Sequence, residues 1–230
     1  FIDDDSEGDV SGSSPRWSGE PWLFGFDSTT KPTLSSFTAL DKIIDTLADR
    51  QRFPNLNTIV IAGFSAGAQM TDRYGIVGKA LPRAEAAGIT IRLVVGAARS
   101  YTYLSDQRVQ ADGTIVALDS DECPEATEWP YGMTRLPSYR SDPDTAEVGR
   151  LTQAYLARKP LYLMGEDDDQ ISNANGCGEQ AEGNNRRERL ERYGKYLEQL
   201  GATPEIVLVP NTAHSGGIFD HKRAQQALFD

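Results

Sequence analysis

Short apolar runs alternate with amphipathic segments along this chain. Each apolar run is continuous and is bounded by glycine, proline or charged residues, which is typical of strands buried on both faces of a parallel sheet. The four runs are Thr58–Ala62, Ile89–Gly96, Pro160–Met164 and Glu205–Val209. The amphipathic segments predict helices over Leu34–Arg52, Ala66–Leu81, Thr145–Ala157, Gly183–Leu200 and Ile218–Phe229. Helices that alternate with strands predict an α/β layer fold with a mostly parallel sheet.

The segment 98–144 does not follow this alternation. Its aromatic residues stand among prolines, aspartates and glycines, and they are Tyr101, Tyr103, Trp129, Tyr131 and Tyr139. Long insertions of this kind often form a lid or a pocket wall above the strand ends, so we expect Tyr101, Trp129 and Tyr131 to line a substrate pocket. Residues 1–16 are acidic and rich in serine and glycine, which predicts a flexible segment at the surface of a single domain over 1–230.

Composition excludes several classes of partner. The formal net charge is −11, from 34 acidic and 23 basic residues. This excess of negative charge argues against nucleic acid and against anionic membrane surfaces. The hydrophobic fraction of 39% is enough for a substantial core, and no apolar run approaches the ~18 residues that a membrane span needs.

Cys123 and Cys177 are the only cysteines of the chain. Both stand in loop-like surroundings rich in glycine, proline and aspartate, which favours a disulfide over two unrelated thiols. They cannot form a zinc site alone, and neither histidine stands at metal-binding spacing from them, so we expect no metal. A disulfide favours a secreted or extracellular protein, and a cytoplasmic protein is the alternative.

A five-residue motif, Gly63-Phe64-Ser65-Ala66-Gly67, joins the first apolar run to a predicted helix. This is the sequence form of a nucleophile elbow, in which a serine stands at the apex of a sharp turn between strand and helix. We expect a strained backbone at Ser65, and we expect Gly63 and Gly67 to be required because a Cβ would collide where strand and helix nearly touch. A glycine-lined turn with a capping serine is the alternative interpretation.

Two further apolar runs end on residues that suit acyl transfer. The third leads into an acidic run at 165–169, and the fourth leads into a segment that contains His214. Reactive groups collect at the carboxyl ends of parallel strands, and a serine nucleophile needs a histidine base that a carboxylate orients. We favour His214 over His221 because His221 falls within the predicted last helix. For the acidic run, a solvated loop and a calcium site are the alternatives, but EF-hand spacing is missing.

The elbow, the chain order serine–acid–histidine and a Gly-x-x-Asp turn after the penultimate strand together resemble the α/β-hydrolase superfamily. The resemblance runs from about Trp17 onward and implies a three-layer sandwich with a long aromatic-rich insertion. It also implies a serine hydrolase that needs no cofactor. Asp168 corresponds to the triad acid, with Asp167 or Asp169 as fallbacks, and the N–H of Ala66 corresponds to one oxyanion donor.

The resemblance is incomplete before the elbow. Members of the superfamily usually have three or four strands before the elbow strand, and the loop after the third supplies part of the oxyanion hole. The 64 residues that precede Ser65 offer one helix and no convincing strand. An elbow strand at a bare sheet edge is an aggregation hazard, so we expect an N-terminal polypeptide to complete the sheet, with a natural truncation as the alternative.

These residues lead us to expect a serine hydrolase that cleaves a small-molecule carboxylic ester through an acyl-enzyme on Ser65. A peptidase or amidase with the same triad is one alternative, and a non-catalytic hydrolase-like binding protein is another. A basic cluster in the predicted helix after the acidic run alternates with glutamates, which predicts a salt-bridged face toward solvent. The arginines of this cluster are Arg186, Arg187, Arg189 and Arg192.

Overall fold

The computed structural model describes residues 14–119, 121–171 and 176–230. Its strands are β1 (Thr58–Phe64), β2 (Thr90–Gly96), β3 (Gln107–Val109), β4 (Ile115–Ala117), β5 (Leu161–Gly165) and β6 (Glu205–Val209). Its helices are α1 (Ser36–Leu47), α2 (Ala66–Val77), α3 (Leu81–Ala86), α4 (Thr145–Ala157), α5 (Cys177–Gln180), α6 (Arg186–Gln199) and α7 (Lys222–Phe229). Three 3₁₀ turns lie at Glu20–Phe24, Pro124–Ala126 and Gly216–Asp220.

The main sheet has the strand order β1-β2-β5-β6, and all neighbouring strands run parallel. Helices cover both of its faces. On one face, Leu93 of β2 reaches Gly75 of α2, and α4 and α6 pack on the same side. On the other face, Gly96 of β2 lies against the 3₁₀ turn Gly216–Asp220, which leads into α7. The predicted α/β layer fold with a parallel sheet is confirmed.

The helix boundaries differ from the predicted ones where capping groups intervene. The hydroxyl oxygen of Ser35 accepts from the N–H of Phe37 at 3.2 Å and starts α1 there. The predicted helix after the elbow ends earlier than expected, because α2 stops at Val77 and a separate helix, α3, begins at Leu81. The predicted last helix is shorter, and His221 caps α7 instead of lying within it. The prediction that His221 falls within the last helix is therefore wrong.

The insertion 98–144 contains an antiparallel hairpin that the sequence pattern did not predict. Its strands β3 and β4 are three residues each and pair Gln107 with Ala117. Of the acidic segment 1–16, residues 1–13 lie outside the described residues, and the backbone of Arg16 is hydrogen-bonded to Thr29 and Thr30. Within the described residues, no helix is long and apolar enough to cross a membrane.

A disulfide joins the insertion to α5. The sulfur atoms of Cys123 and Cys177 are bonded, and their Cα atoms are 5.8 Å apart. The predicted disulfide is therefore confirmed.

We predict that the Cys123→Ser/Cys177→Ser double variant loses about 4 kcal/mol of unfolding free energy, because the bond closes a long loop in the unfolded chain. The two cysteines are separated by 54 residues. Urea denaturation of both proteins measures the difference. Dithiothreitol should lower the urea midpoint of the wild type to that of the variant, and it should leave the midpoint of the variant unchanged. Equal midpoints without reductant would contradict the prediction.

Charged side chains are buried between the sheet and the helices on the α2 side. Asp72, Arg73 and Glu182 are each fully buried. A carboxylate oxygen of Asp72 accepts from the hydroxyl of Tyr155 at 2.6 Å, and one of Glu182 accepts from the N–H of Tyr101 at 2.9 Å. Burial raises the pKa of Glu182 to about 8 and that of Asp72 to about 6, although hydrogen bonds and nearby arginines oppose the shift.

We predict that Glu182 makes the protein less stable as pH rises. Its pKa in the folded state is about 8, against an ordinary value of 4.5, so the folded state keeps a proton that the unfolded chain has released. This contribution is fully present below about pH 4.5 and is lost as pH rises through about 8. Relative to Glu182→Gln, the wild type should lose a few (~3) kcal/mol of unfolding free energy between about pH 5 and 8.

Urea denaturation of both proteins across this pH range is the measurement. Glu198→Gln, at an exposed position of α6, is the matched control and should follow the wild type at every pH. A difference between wild type and Glu182→Gln that does not change with pH would contradict the assignment.

Candidate active site

Ser65 stands in a strained turn between β1 and α2. Its φ angle is 53°, in the left-handed region that non-glycine residues rarely adopt. Its N–H donates to the carbonyl of Gly96 at 2.8 Å and ties the turn to β2. A Cβ at Gly63 would lie 2.2 Å from the carbonyl group of Gly67, so only glycine fits there. The same expectation for Gly67 is wrong, because a Cβ there would meet no described atom within 4 Å.

Two loops cross closely after β5 and β6. A Cβ at Gly165 would lie 2.1 Å from the carbonyl oxygen of Thr212, so the crossing requires glycine. The N–H of Asp167 donates to that same carbonyl of Thr212 at 2.9 Å, and the N–H of Glu166 donates to Val209 at 2.9 Å. These backbone bonds fix the loop that carries the acid relative to the loop that carries the histidine.

The structure brings Ser65, His214 and Asp168 together at this edge of the sheet. Nε2 of His214 lies 3.0 Å from Oγ of Ser65, and Nδ1 lies 2.8 Å from Oδ2 of Asp168. The Asp168 side chain is 3% exposed, whereas that of His214 is 30% exposed. The carboxylate is thus shielded, and the imidazole edge that meets the serine is accessible. In this geometry a histidine can take a serine proton while a carboxylate holds its other nitrogen.

Phe64, the residue before the serine, packs on the imidazole. The ring centroids of Phe64 and His214 are 4.8 Å apart, and the ring planes meet at 30°. Such a stacked contact restricts rotation of the histidine ring. The side chain of Phe64 therefore helps to orient His214.

The second oxygen of Asp168 faces a cation. Nη1 of Arg186 lies 3.5 Å from Oδ1 of Asp168, and the backbone N–H of Arg187 donates to the carbonyl of Asp168 at 3.2 Å. A positive charge in the first turn of a helix is unfavourable, because the N-terminal end of the helix dipole is also positive. The carboxylate of Asp168 offsets this repulsion for Arg186. Arg189 is fully buried and binds Glu179. The expectation of a solvent-facing cluster is therefore wrong for Arg186 and Arg189.

Ala66 is the first residue of α2, directly after Ser65. Its backbone N–H belongs to the first turn, whose donors have no acceptor within a helix. The assignment of this N–H as an oxyanion donor stays a prediction, and its position beside the serine agrees with that role.

Two of the three predicted pocket residues lie in the core. Tyr101 is fully buried, and its ring stacks on Tyr193 with centroids 4.7 Å apart. Trp129 is 7% exposed and donates its indole N–H to a backbone carbonyl at 2.7 Å. The expectation that these two rings line a substrate pocket is wrong, because each ring packs in the hydrophobic core. Tyr131 is half-buried against Gly178 of α5, and its pocket role stays a prediction.

The acidic run shows no further ligand geometry. Across the described ranges, no group of three or more histidine, cysteine, aspartate or glutamate side chains is arranged to hold a metal ion. Asp168 is the member of the run that contacts His214.

No family model matches the chain, and no curated protein matches it either. Among solved structures, the chain is similar to LpqC, a poly(3-hydroxybutyrate) depolymerase from Bordetella parapertussis, with a TM-score of 0.55 and 16% sequence identity. This similarity supports the α/β fold with a parallel four-stranded sheet, because the two chains share that arrangement of strands and helices. The similarity covers 86% of this chain and 60% of the depolymerase chain, so this chain spans less than two thirds of that protein's length.

We predict that Arg186→Gln lowers kcat about fivefold and leaves KM unchanged, because Arg186 contacts Asp168 and orients it for His214. A partly exposed ion pair of this kind is worth about 1 kcal/mol, which corresponds to roughly a fivefold change in rate. Steady-state kinetics on a chromogenic ester provides both constants. Arg186→Lys should recover most of the loss. Arg192→Gln, which breaks the Arg192–Glu188 pair on the same helix, is the matched control and should not change kcat. An equal loss in that control would indicate a general effect on α6.

Proposed function

We propose that the protein is a serine hydrolase that cleaves a carboxylic ester. The observation that carries the proposal is the continuous path of contacts from Ser65 Oγ through both nitrogens of His214 to Asp168. The strained backbone of Ser65 adds support, since strain of this kind is found at functional sites.

In the proposed reaction, Oγ of Ser65 attacks the carbonyl carbon of the ester while Nε2 of His214 takes the hydroxyl proton. Asp168 holds the Nδ1–H of the imidazole and stabilises the positive charge that forms. The N–H of Ala66 donates to the oxyanion. His214 then gives its proton to the leaving alkoxide, which departs as an alcohol. Water, activated by the same histidine, releases the acid and regenerates Ser65.

An ester is a better candidate than an amide for the scissile bond. The name of LpqC indicates action on poly(3-hydroxybutyrate), whose units are joined by ester bonds, and its fold is shared by this chain. A small-molecule ester remains our proposed substrate, and a peptidase or amidase that uses the same three side chains is the second candidate. We also propose that the protein works in an oxidising, extracytoplasmic compartment, which the disulfide between Cys123 and Cys177 supports.

We predict that a fluorophosphonate probe labels the wild type on Ser65, because only an activated serine reacts quickly with it. Ser65→Ala should abolish labelling, and His214→Ala should slow it by a factor on the order of 10³. The measurement is the labelling rate followed by intact-mass spectrometry, with peptide mapping of the modified residue.

His221→Ala is the matched control, since His221 caps α7 and accepts from the N–H of Arg223. Its labelling rate should equal that of the wild type. Absence of labelling in a folded sample would contradict the proposal and favour a hydrolase-like binding protein. Parallel assays with nitrophenyl esters and peptidyl nitroanilides then separate an esterase from a peptidase.

A further inference from the structure

The ring of Phe64 lies against the imidazole of His214, on the face of the sheet that α7 covers. Phe64 is the last residue of β1 and pairs with Gly96 of β2, so both residues point to the same face. A Cβ at Gly96 would lie 2.8 Å from the ring of Phe219, in the 3₁₀ turn that follows His214. Because Gly96 has no side chain, this turn can approach the sheet closely beside Phe64.

The two rings are stacked. Their centroids are 4.8 Å apart, and their planes meet at 30°. Both nitrogens of the imidazole are engaged at its edge, since Nε2 faces Ser65 and Nδ1 faces Asp168. Among the described residues, Phe64 provides the one aromatic contact of His214. One face of the imidazole is therefore covered by a phenyl face, which carries negative electrostatic potential.

The strength of this contact changes when His214 accepts a proton. A neutral imidazole and a phenyl ring attract each other mainly by dispersion. An imidazolium is a cation, and a cation within about 6 Å of the ring centroid is also attracted by the negative potential of the ring face. In the proposed reaction His214 takes the proton of Ser65 as the oxyanion forms, so the cation belongs to the transition state and not to the resting site. Interactions that are stronger in the transition state than in the ground state raise the rate.

The carboxylate of Asp168 faces two cations once His214 is protonated. Its Oδ2 lies 2.8 Å from Nδ1 of His214, and its Oδ1 lies 3.5 Å from Nη1 of Arg186. One negative charge is then shared between an imidazolium and a guanidinium. An aromatic face stabilises the imidazolium further and adds no charge that would itself need a partner.

We propose that Phe64 stabilises the imidazolium form of His214 through a cation–π contact and thereby lowers the barrier to attack by Ser65. The inference rests on the proposed function, and Phe64 is a positioning residue, because it acts through His214. Packing alone is the competing explanation, since Phe64 is partly buried against the apolar cluster that contains residues of β2 and β5. Packing depends on the shape of the side chain, whereas the cation–π contact depends on the charge distribution of the ring.

Fluorinated phenylalanines at position 64 separate the two explanations, because each fluorine weakens the negative potential of the ring face and barely changes the shape of the ring. Mono-, di- and trifluorination should slow fluorophosphonate labelling of Ser65 stepwise, by about fivefold in total, which is the size expected of a partly exposed cation–π contact. The same series at Phe219 is the matched control. That ring packs on the same apolar cluster and makes no ring contact with His214 within the described residues, so its fluorination should leave the labelling rate unchanged.

Substitutions and a titration give two further comparisons. Phe64→Tyr keeps an aromatic face and should keep the labelling rate, whereas Phe64→Leu keeps an apolar side chain without a ring and should slow labelling about fivefold. With a chromogenic ester, the loss in Phe64→Leu should fall on kcat and leave KM unchanged, because Phe64 acts through His214. An NMR titration of the imidazole needs no catalysis, and the fluorinated series at position 64 should lower the proton affinity of His214 by up to about fivefold.

Three results would overturn the proposal. The first is a labelling rate that stays constant along the fluorinated series at position 64. The second is an equal fall in the Phe219 series, which would indicate a general effect of fluorine on packing. The third is a proton affinity of His214 that is the same with phenylalanine and with its trifluorinated form at position 64. A folded wild type that is not labelled would instead contradict the proposed function, and the NMR titration would then decide the role of Phe64 by itself.

Discussion

The parallel register of the four central strands decides which loops meet at the candidate site. Phe64 pairs with Gly96, Gly96 with Leu163, and Gly165 with Val209, so the strand ends form one edge. Each of the three side chains of the candidate site follows one of these ends. Because parallel strands all present their carboxyl ends on the same side, residues far apart in sequence converge without any long arm of chain. The distances at Ser65 and His214 are consequences of this register.

A series of contacts connects the disulfide to the carboxylate of Asp168 and holds that carboxylate in place. Cys177 is the first residue of α5, and Glu179 of the same helix binds Arg189 of α6. The first turn of α6 in turn supplies the arginine and the backbone N–H that contact Asp168. Burial of these charges is costly unless each finds a partner, and the pairing therefore links the insertion, α6 and the acid loop. The same segment provides both stability and the orientation of the carboxylate.

The site is less well supported on the serine side. Within the part of the chain that the structure describes, strand β1 has a neighbouring strand on one edge only. Interior packing lets neighbouring elements fix one another, so an elbow beside an open edge has fewer constraints on its position than the acid and histidine loops have.

The sequence by itself predicted the four strands and the three candidate residues that follow strand ends, because apolar period, glycine spacing and strand ends are local properties. It also indicated the disulfide. Only the tertiary structure decided that Tyr101 and Trp129 are core residues, since burial depends on which elements pack above a ring. The same holds for Arg186 and Phe64: their partners are 18 and 150 positions away, and no local pattern encodes such contacts. The basic residues in the first turn of α6 were the one sequence feature that pointed to the Arg186 contact. Their partner could be identified only once the position of Asp168 was known.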